Sequence, residues 1–446
     1  MGVSVGKAKL LIENFLVYGF GGIVSKIIPL LMVPIVVRIM PDSTYFGVSD
    51  LSNTLISLTT AVAILGMYDG MFRLFFEKDD DEYKVSVCST ALFFTMGTSI
   101  LIFGLMIVFR EMIAKFFFNG NTYVSIVWIS AVATLVGTTN GIVSAPTRMQ
   151  NKRKIFLVTN TVTPIISYSV SIPLLLNGYY TIALPIAGVV SGLVMEISFG
   201  IMNRKWFKWR YFDYNILKSL LVIAIPLFPN FLIYWIFNSS DRVMISHMLG
   251  VDQAGIYSVG AKLGHVSQLI YVAFAGGWQY FAFSTMREEN QVKSNSLIFE
   301  YLGIISYVAT ILVCLFSEVV FKFLFPLEYL NGYIVSPYLF FVPLLQMLFQ
   351  VAANQFLVIK KTWPNIFILG IGALLNLVFN FKLIPLWGIE GAALGSMLGY
   401  LVSVILCIIV LVKMKLMMIS NRFIVASLLF IFFFVFWRFN FVSSPV

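Results

Sequence analysis

The sequence predicts an all-α polytopic membrane protein: about twelve transmembrane helices in two six-helix lobes, followed by a short apolar segment. Three observations predict this fold. The chain is 59% hydrophobic and only 11% charged, against about 25% charged residues in a soluble domain. Apolar runs of roughly 18 residues or more recur to its end, each long enough to cross a hydrocarbon core about 30 Å thick. The second half repeats the plan of the first. The alternating ten-residue segments of a transmembrane β-barrel are not seen.

In chain order the predicted spans are 14–37, 48–69, 87–109, 123–144, 155–176 and 180–202. After a basic hinge at 203–218 come 217–240, 256–282, 296–316, 334–359, 363–383 and 391–412. The first run is far too long for a signal-peptide core and lacks a clear cleavage site, so it reads as a retained span. The stretch 423–437 would be about 22 Å long as a helix, either a thirteenth span or an interfacial anchor. The domain plan is therefore an N-terminal lobe 1–202, the hinge 203–218, a C-terminal lobe 219–412 and a tail 413–446. Loops are too short to hold a catalytic domain, and the acidic Glu77–Glu82 loop reads as a solvated turn.

At an offset of 208 positions Gly47 falls on Gly255, Lys152-Arg153 on Lys360-Lys361, and Ala183 on Gly391. Two copies of six spans share one orientation, and repeat-built transporters bind substrate between their repeats. The net charge of +10 does not indicate nucleic acid, because the basic residues cluster in hinges on one side. That side includes Arg73, Arg148, Lys152, Arg204, Lys205, Lys208 and Arg210, and it is shared with the N-terminus. The opposite side has Arg38, Arg110, Lys115, Arg242, Lys322, Lys382 and Arg438. The positive-inside rule then puts the N-terminus in the cytoplasm. Cys88, Cys314 and Cys407 lie in apolar spans with neither disulfide nor zinc spacing.

No phosphate-binding GxxxxGK[ST] loop, HExxH motif or G-x-S-x-G turn occurs, so the sequence calls for no enzyme, cofactor or metal site. What remains are polar groups in an apolar setting, where an ionisable side chain faces a protein interior or a water-filled cavity far more often than lipid. Lys26 lies mid-span among Gly19, Gly21, Gly22, Ser25, Pro29 and Pro34. It reads as a cavity lysine for a phosphate or acidic sugar, as the partner of an internal acid such as Asp69 or Glu196, or as a snorkelling side chain. Ser258, Lys262 and His265 recur on one helical face, with Lys262 the stronger candidate for substrate contact. Gln346, Gln350 and Asn354 form a second stripe, suited equally to sugar hydroxyls and to interhelical bonding. Asn376 and Asn380 repeat that pattern more weakly, as interhelical glue. Asp241-Arg242 reads as a structural pair or an outer gate. Adjacent helical residues do not face one another, so each is expected to need its own partner. Arg38 and Arg73 either snorkel or hold phosphate at cavity entrances.

The run Asp241-Arg242, Gly250, Gly255-Ile-Tyr-Ser258 and Lys262-Leu263 resembles the start of the second half of Wzx-type polysaccharide flippases. These belong to the multidrug/oligosaccharidyl-lipid/polysaccharide (MOP) exporter superfamily. Pro34, Arg38, Pro41, Tyr45-Phe-Gly47, Gly66-Met-Tyr-Asp69, Arg73 and Glu77 match in the first half, and Gly277-Trp-Gln-Tyr-Phe281 in the second. The resemblance covers about residues 10–412 and implies two lobes around a cationic, solvent-filled cavity with alternating access. The implied substrate is an undecaprenyl-pyrophosphate-linked repeat unit of O-antigen or capsule. It would cross the bacterial inner membrane with H+ or Na+ as coupling ion, beside membrane lipid and polysaccharide polymerase machinery.

Two rival readings have their own signatures. A drug or metabolite/cation antiporter of the same superfamily favours acidic cavity residues, for which Glu196 speaks, whereas the mid-span Lys26 and Lys262 are basic. A membrane-embedded sugar polymerase needs a large extramembrane loop, which the chain lacks.

Overall fold

In this computed structural model the described residues are 26–284, 290–361 and 363–442, and all regular structure among them is helical. The first predicted span is thus described only from Lys26 onward, as α1 (residues 26–39). Its glycine-rich part, with Gly19, Gly21, Gly22 and Ser25, lies outside the described residues.

The described chain divides into two compact units, the first ending at Trp235 and the second beginning at Ile236. After α1, the first contains α2 (Ser43–Ile64), α3 (Met67–Phe75), α4 (Asp81–Val108), α5 (Arg110–Phe118), α6 (Val124–Met149), α7 (Arg153–Leu176), α8 (Ala183–Asn203) and α9 (Tyr214–Ala224). Helix α10 (Phe228–Met248) carries the chain into the second unit. There follow α11 (Val251–Gly264), α12 (Ser267–Ser284), α13 (Gln291–Leu324), α14 (Gly332–Val358), α15 (Trp363–Lys413) and α16 (Asn421–Phe441). Among the described residues nine helices are long and apolar enough to cross a membrane, or ten if α2 and α3 form one bent span. The chain is a multi-pass membrane protein.

Helices start where short polar side chains satisfy backbone N–H groups that have no intrahelical partner. Asp42 accepts from Thr44 N at 2.9 Å at the head of α2. In the acidic loop, Asp80 accepts from Tyr83 N at 3.0 Å and so caps α4. Asp213 caps α9. Breaks occur where the backbone turns left-handed. Leu65 and Gly66 have φ of 49° and 74°, bending α2 against α3 by 46°. A Cβ on Gly66 would lie 2.6 Å from the Ala224 carbonyl oxygen of α9, so close packing and φ both require glycine there. Helix α15 breaks at Trp387–Gly388, where Gly388 has φ 60°, which separates the predicted spans 363–383 and 391–412.

Two predicted spans differ from expectation. The second, 48–69, is broken at Leu65–Gly66, and the eighth, 256–282, is broken at His265–Val266 between α11 and α12. Mean hydropathy is blind to both, because a one- or two-residue break leaves the apolar run intact. The stretch 423–437 belongs to a longer helix, α16, that meets the length and hydropathy of a membrane span. It packs on α13, with Tyr307 stacked on Phe430 at 4.5 Å and bonded to Ser427 Oγ at 2.9 Å.

Packing within each unit uses small residues, which let helix backbones approach where hydrophobicity alone gives no preference for protein over lipid. Gly260 and Gly264 of α11 lie against Gly332, Ser336 and Leu339 of α14. The arms of α15 meet through Gly372, Gly395 and Gly399. In the first unit, Ser52 bonds Ser130 at 2.9 Å and Thr59 bonds Thr134 at 2.7 Å.

Candidate functional site

Helices α11, α12, α13 and α15 pack around α14 and leave it almost wholly enclosed. From Gly332 to Phe356 every residue is buried except Gln346, Gln350 and Asn354. These positions, spaced by four, form one line about 12 Å long at 1.5 Å per residue. The enclosing packing is mostly apolar, and the less buried line is entirely amide. Oε1 of Gln350 is itself buried and has no hydrogen-bond partner among the described residues. Carboxamides carry both donors and acceptors without charge, as a ligand rich in hydroxyls requires.

On α11 the structure separates residues that the helical spacing had grouped. Ser258 is buried, Lys262 is exposed, and His265 is the half-buried residue just past the helix end. The break at His265–Val266 therefore interrupts the expected polar face. Lys262 keeps its place at the open side of the helix end, where a cation also complements the helix dipole.

Asp241 and Arg242 are both buried, at 3% and 7% exposure. Contrary to the expectation that each needs a separate partner, Arg242 Nη1 folds back onto Asp241 Oδ1 at 3.2 Å. It also donates to the Asn238 carbonyl. A long guanidinium stem can reach an adjacent carboxylate even though the two Cβ vectors diverge. The other carboxylate oxygen accepts from the Tyr257 hydroxyl and, at 3.5 Å, from Ser396 Oγ. Ser396 in turn accepts from Asn376 at 3.1 Å, and Asn380 donates to Asn376 Oδ1 at 3.4 Å. Helices α10, α11 and both arms of α15 thus converge on one buried carboxylate. Hydroxyl, carboxylate and amide oxygens together are the donor set of a hard cation or of a proton relay.

A second buried acid escaped the sequence reading. Glu390 is 2% exposed and receives Arg438 Nη2 at 2.7 Å, Arg438 Nε, and the Tyr338 hydroxyl at 2.6 Å. Its signal was an isolated acid inside the apolar run from Ile389 to Leu411, with a basic residue in the following helix.

In the first unit, Lys26 is half-buried at the start of α1 and Arg38 is exposed near its end. Asp69 and Arg73 are both exposed on α3. Arg38 and Arg73 stand at opposite ends of the α2–α3 pair, so they do not form one site. Arg73 borders an open groove with Glu77 and Lys218. Glu196 is half-buried on α8, with Oε2 unpartnered among the described residues.

Residues 35–333 match the family described as polysaccharide biosynthesis protein. The chain belongs to that family. Among solved structures, the lipid II flippase MurJ in an inward closed conformation is similar, with TM-score 0.74 and 15% identity. That likeness covers 97% of this chain and 94% of the other. An inward-facing MATE multidrug transporter of the MOP superfamily matches at TM-score 0.59 and 14% identity, covering 93% and 96%. The fold is thus that of the MOP transporters. An uncharacterized membrane protein of Methanocaldococcus jannaschii is 31% identical over 169 residues, which is 36% of this chain. The match spans a third of that relative's length.

Proposed function

We propose that this member of the polysaccharide biosynthesis family is a flippase for undecaprenyl-pyrophosphate-linked oligosaccharide repeat units. It carries them from the cytoplasmic to the periplasmic leaflet of the bacterial inner membrane, N-terminus in the cytoplasm, by ion-coupled alternating access. The observation that carries this reading is the accessible line Gln346–Gln350–Asn354 on an otherwise buried helix, in the same unit as the exposed Lys262. Likeness to the lipid II flippase and the basic hinges on one side support it.

The chemistry follows from the cost of crossing hydrocarbon. An unsatisfied polar group there costs several kcal/mol, so a glycan must exchange its water for protein partners. Amides on α14 supply donors and acceptors to hydroxyls. Lys262 supplies charge-assisted bonds to pyrophosphate. The polyprenyl tail stays in lipid. Transport then requires only that ligand and ion stabilise two arrangements unequally. The Asp241 cluster is where the coupling ion acts: a proton would neutralise the carboxylate, and sodium would sit among the oxygens of Asp241, Ser396, Asn376 and Asn380. The open amide line and the exposed Lys262 favour this substrate over a cationic drug, for which Glu196 is the half-buried acid.

Deletion of the gene should trap lipid-linked units in the cytoplasmic leaflet. The triple variant Gln346→Ala/Gln350→Ala/Asn354→Ala, and separately Lys262→Ala, should reach the membrane normally yet fail to restore surface glycan. Full restoration by both would refute the reading, and accumulation of long unexported polymer on deletion would point to a later step instead.

A further inference from the structure

Helices α3, α6, α7 and α8 of the first unit enclose a cavity of about 480 Å³, within the range of small-ligand sites. None of the residues proposed above to contact the substrate lines it. Asn140, Ser144 and Arg148 of α6 lie along it at intervals of four, one face of the helix, about 12 Å from end to end. Asn160 faces it from α7, and Tyr68 and Phe156 contribute aromatic rings.

Arg148, an exposed residue, stands at one end of this line. Its guanidinium stands 6.0 Å from the Tyr68 ring centroid and 5.5 Å from that of Phe156, so two aromatic faces orient it. Stacking of this kind leaves the in-plane N–H groups available, the geometry that grips a phosphate with two parallel bonds. No carboxylate pairs with Arg148 among the described residues, and no carboxylate lines the cavity. The Asn160 amide makes no hydrogen bond among the described residues. Asn140 donates to the Gly192 carbonyl at 3.2 Å, which leaves its own amide oxygen free to accept. Ser144 donates to the Gly141 carbonyl.

We infer that this cavity binds a phosphate-bearing saccharide, phosphate on Arg148 and sugar hydroxyls on Asn140, Ser144 and Asn160. The lining excludes the other classes. A cationic ligand would find no acid in the walls, and a hydrocarbon tail would leave the Asn160 amide and the Asn140 amide oxygen without partners. On the flippase reading, on which this inference rests, Arg148 lies at the cytoplasmic end of α6. The cavity is then a loading site for the head of the lipid-linked unit before transport. The phosphate itself has two sources, the lipid-linked saccharide or a phospholipid headgroup, and the test separates them.

The probe is N-acetylglucosamine joined through pyrophosphate to geraniol, titrated against the full chain in phosphatidylcholine nanodiscs with and without phosphatidylglycerol. Arg148→Ala should weaken binding by about tenfold to a hundredfold, the range for a bond to a charged group. Gly188 also lines the cavity, and a Cβ there meets nothing within 4 Å. Gly188→Leu should therefore block the site without disturbing the fold, and it keeps the test decisive if Arg148→Ala melts at a lower temperature. Unchanged affinity in a folded Gly188→Leu protein, with the wild type binding, overturns the cavity assignment alone. A wild type that does not bind the probe at all overturns the flippase reading as well. Phosphatidylglycerol that displaces the probe, through Arg148, overturns the saccharide and assigns the cavity to membrane lipid.

Discussion

Arg438→Ala should unlatch α16 from the second unit, and the structure sets the size of the effect. Glu390 accepts two bonds from Arg438 and one from Tyr338 while only 2% exposed. The Arg438 side chain is itself 21% exposed, so water screens the pair only partly. Removing the arginine leaves a buried carboxylate with a single phenolic donor. A charge stranded in this way costs about 3–5 kcal/mol. The aromatic contacts of α16 with Tyr307 and Tyr338 remain, so the helix should loosen from the Glu390 end first. Replacing both partners by leucine removes the charge as well as its neutralising partner, and should recover most of the loss. The assay is a double-mutant cycle by denaturant unfolding in detergent, with hydrogen exchange along residues 421–441. Exchange should rise throughout α16 in Arg438→Ala and return toward wild type in the double leucine variant. A single-variant cost under about 1 kcal/mol, as found for solvent-exposed pairs, would refute the argument that this pair is buried and holds the helix.

Gly66→Val should destabilise the first unit by about 1–3 kcal/mol, since its φ of 74° and the Ala224 carbonyl at 2.6 Å from a Cβ both oppose a side chain. Thermal unfolding checks this, and an unchanged midpoint would show that the α2–α3 break is not constrained by α9. Ser396→Ala and Asn380→Ala leave the Asp241–Arg242 contact in place but remove oxygens from the cluster. Each should raise the ion concentration for half-maximal transport about tenfold, roughly the loss of one bond to a charged group, while the maximal rate is kept. Proteoliposome uptake under imposed proton and sodium gradients measures it. Identical ion dependence in both variants would remove Asp241 from the coupling role.

Individual residues show how far local pattern carries. The four-residue spacing of Gln346, Gln350 and Asn354 was visible in the sequence, but their being the accessible line of a buried helix was not. That depends on the helices around α14, among them α11, whose Gly260 and Gly264 pack on Gly332, Ser336 and Leu339 some turns earlier along α14. Lys262 and Ser258 share a helical face by spacing, yet one is exposed and the other buried, because exposure is decided by neighbouring helices. Asp241 and Arg242 were conspicuous, whereas Glu390 was not, although both acids are buried at similar depth.

By itself the sequence determined the helical membrane class and the family. Both rest on hydropathy and short motifs, which are local and add along the chain. Only the tertiary structure decided which polar groups are satisfied and which remain open. Asp241 meets Ser396 across 155 positions, and Glu390 meets Arg438 across 48. In a low-dielectric interior the same side chain is a structural partner or a ligand contact according to what lies within about 3 Å of it. That information belongs to pairs of distant residues, and no single stretch of this chain contains it.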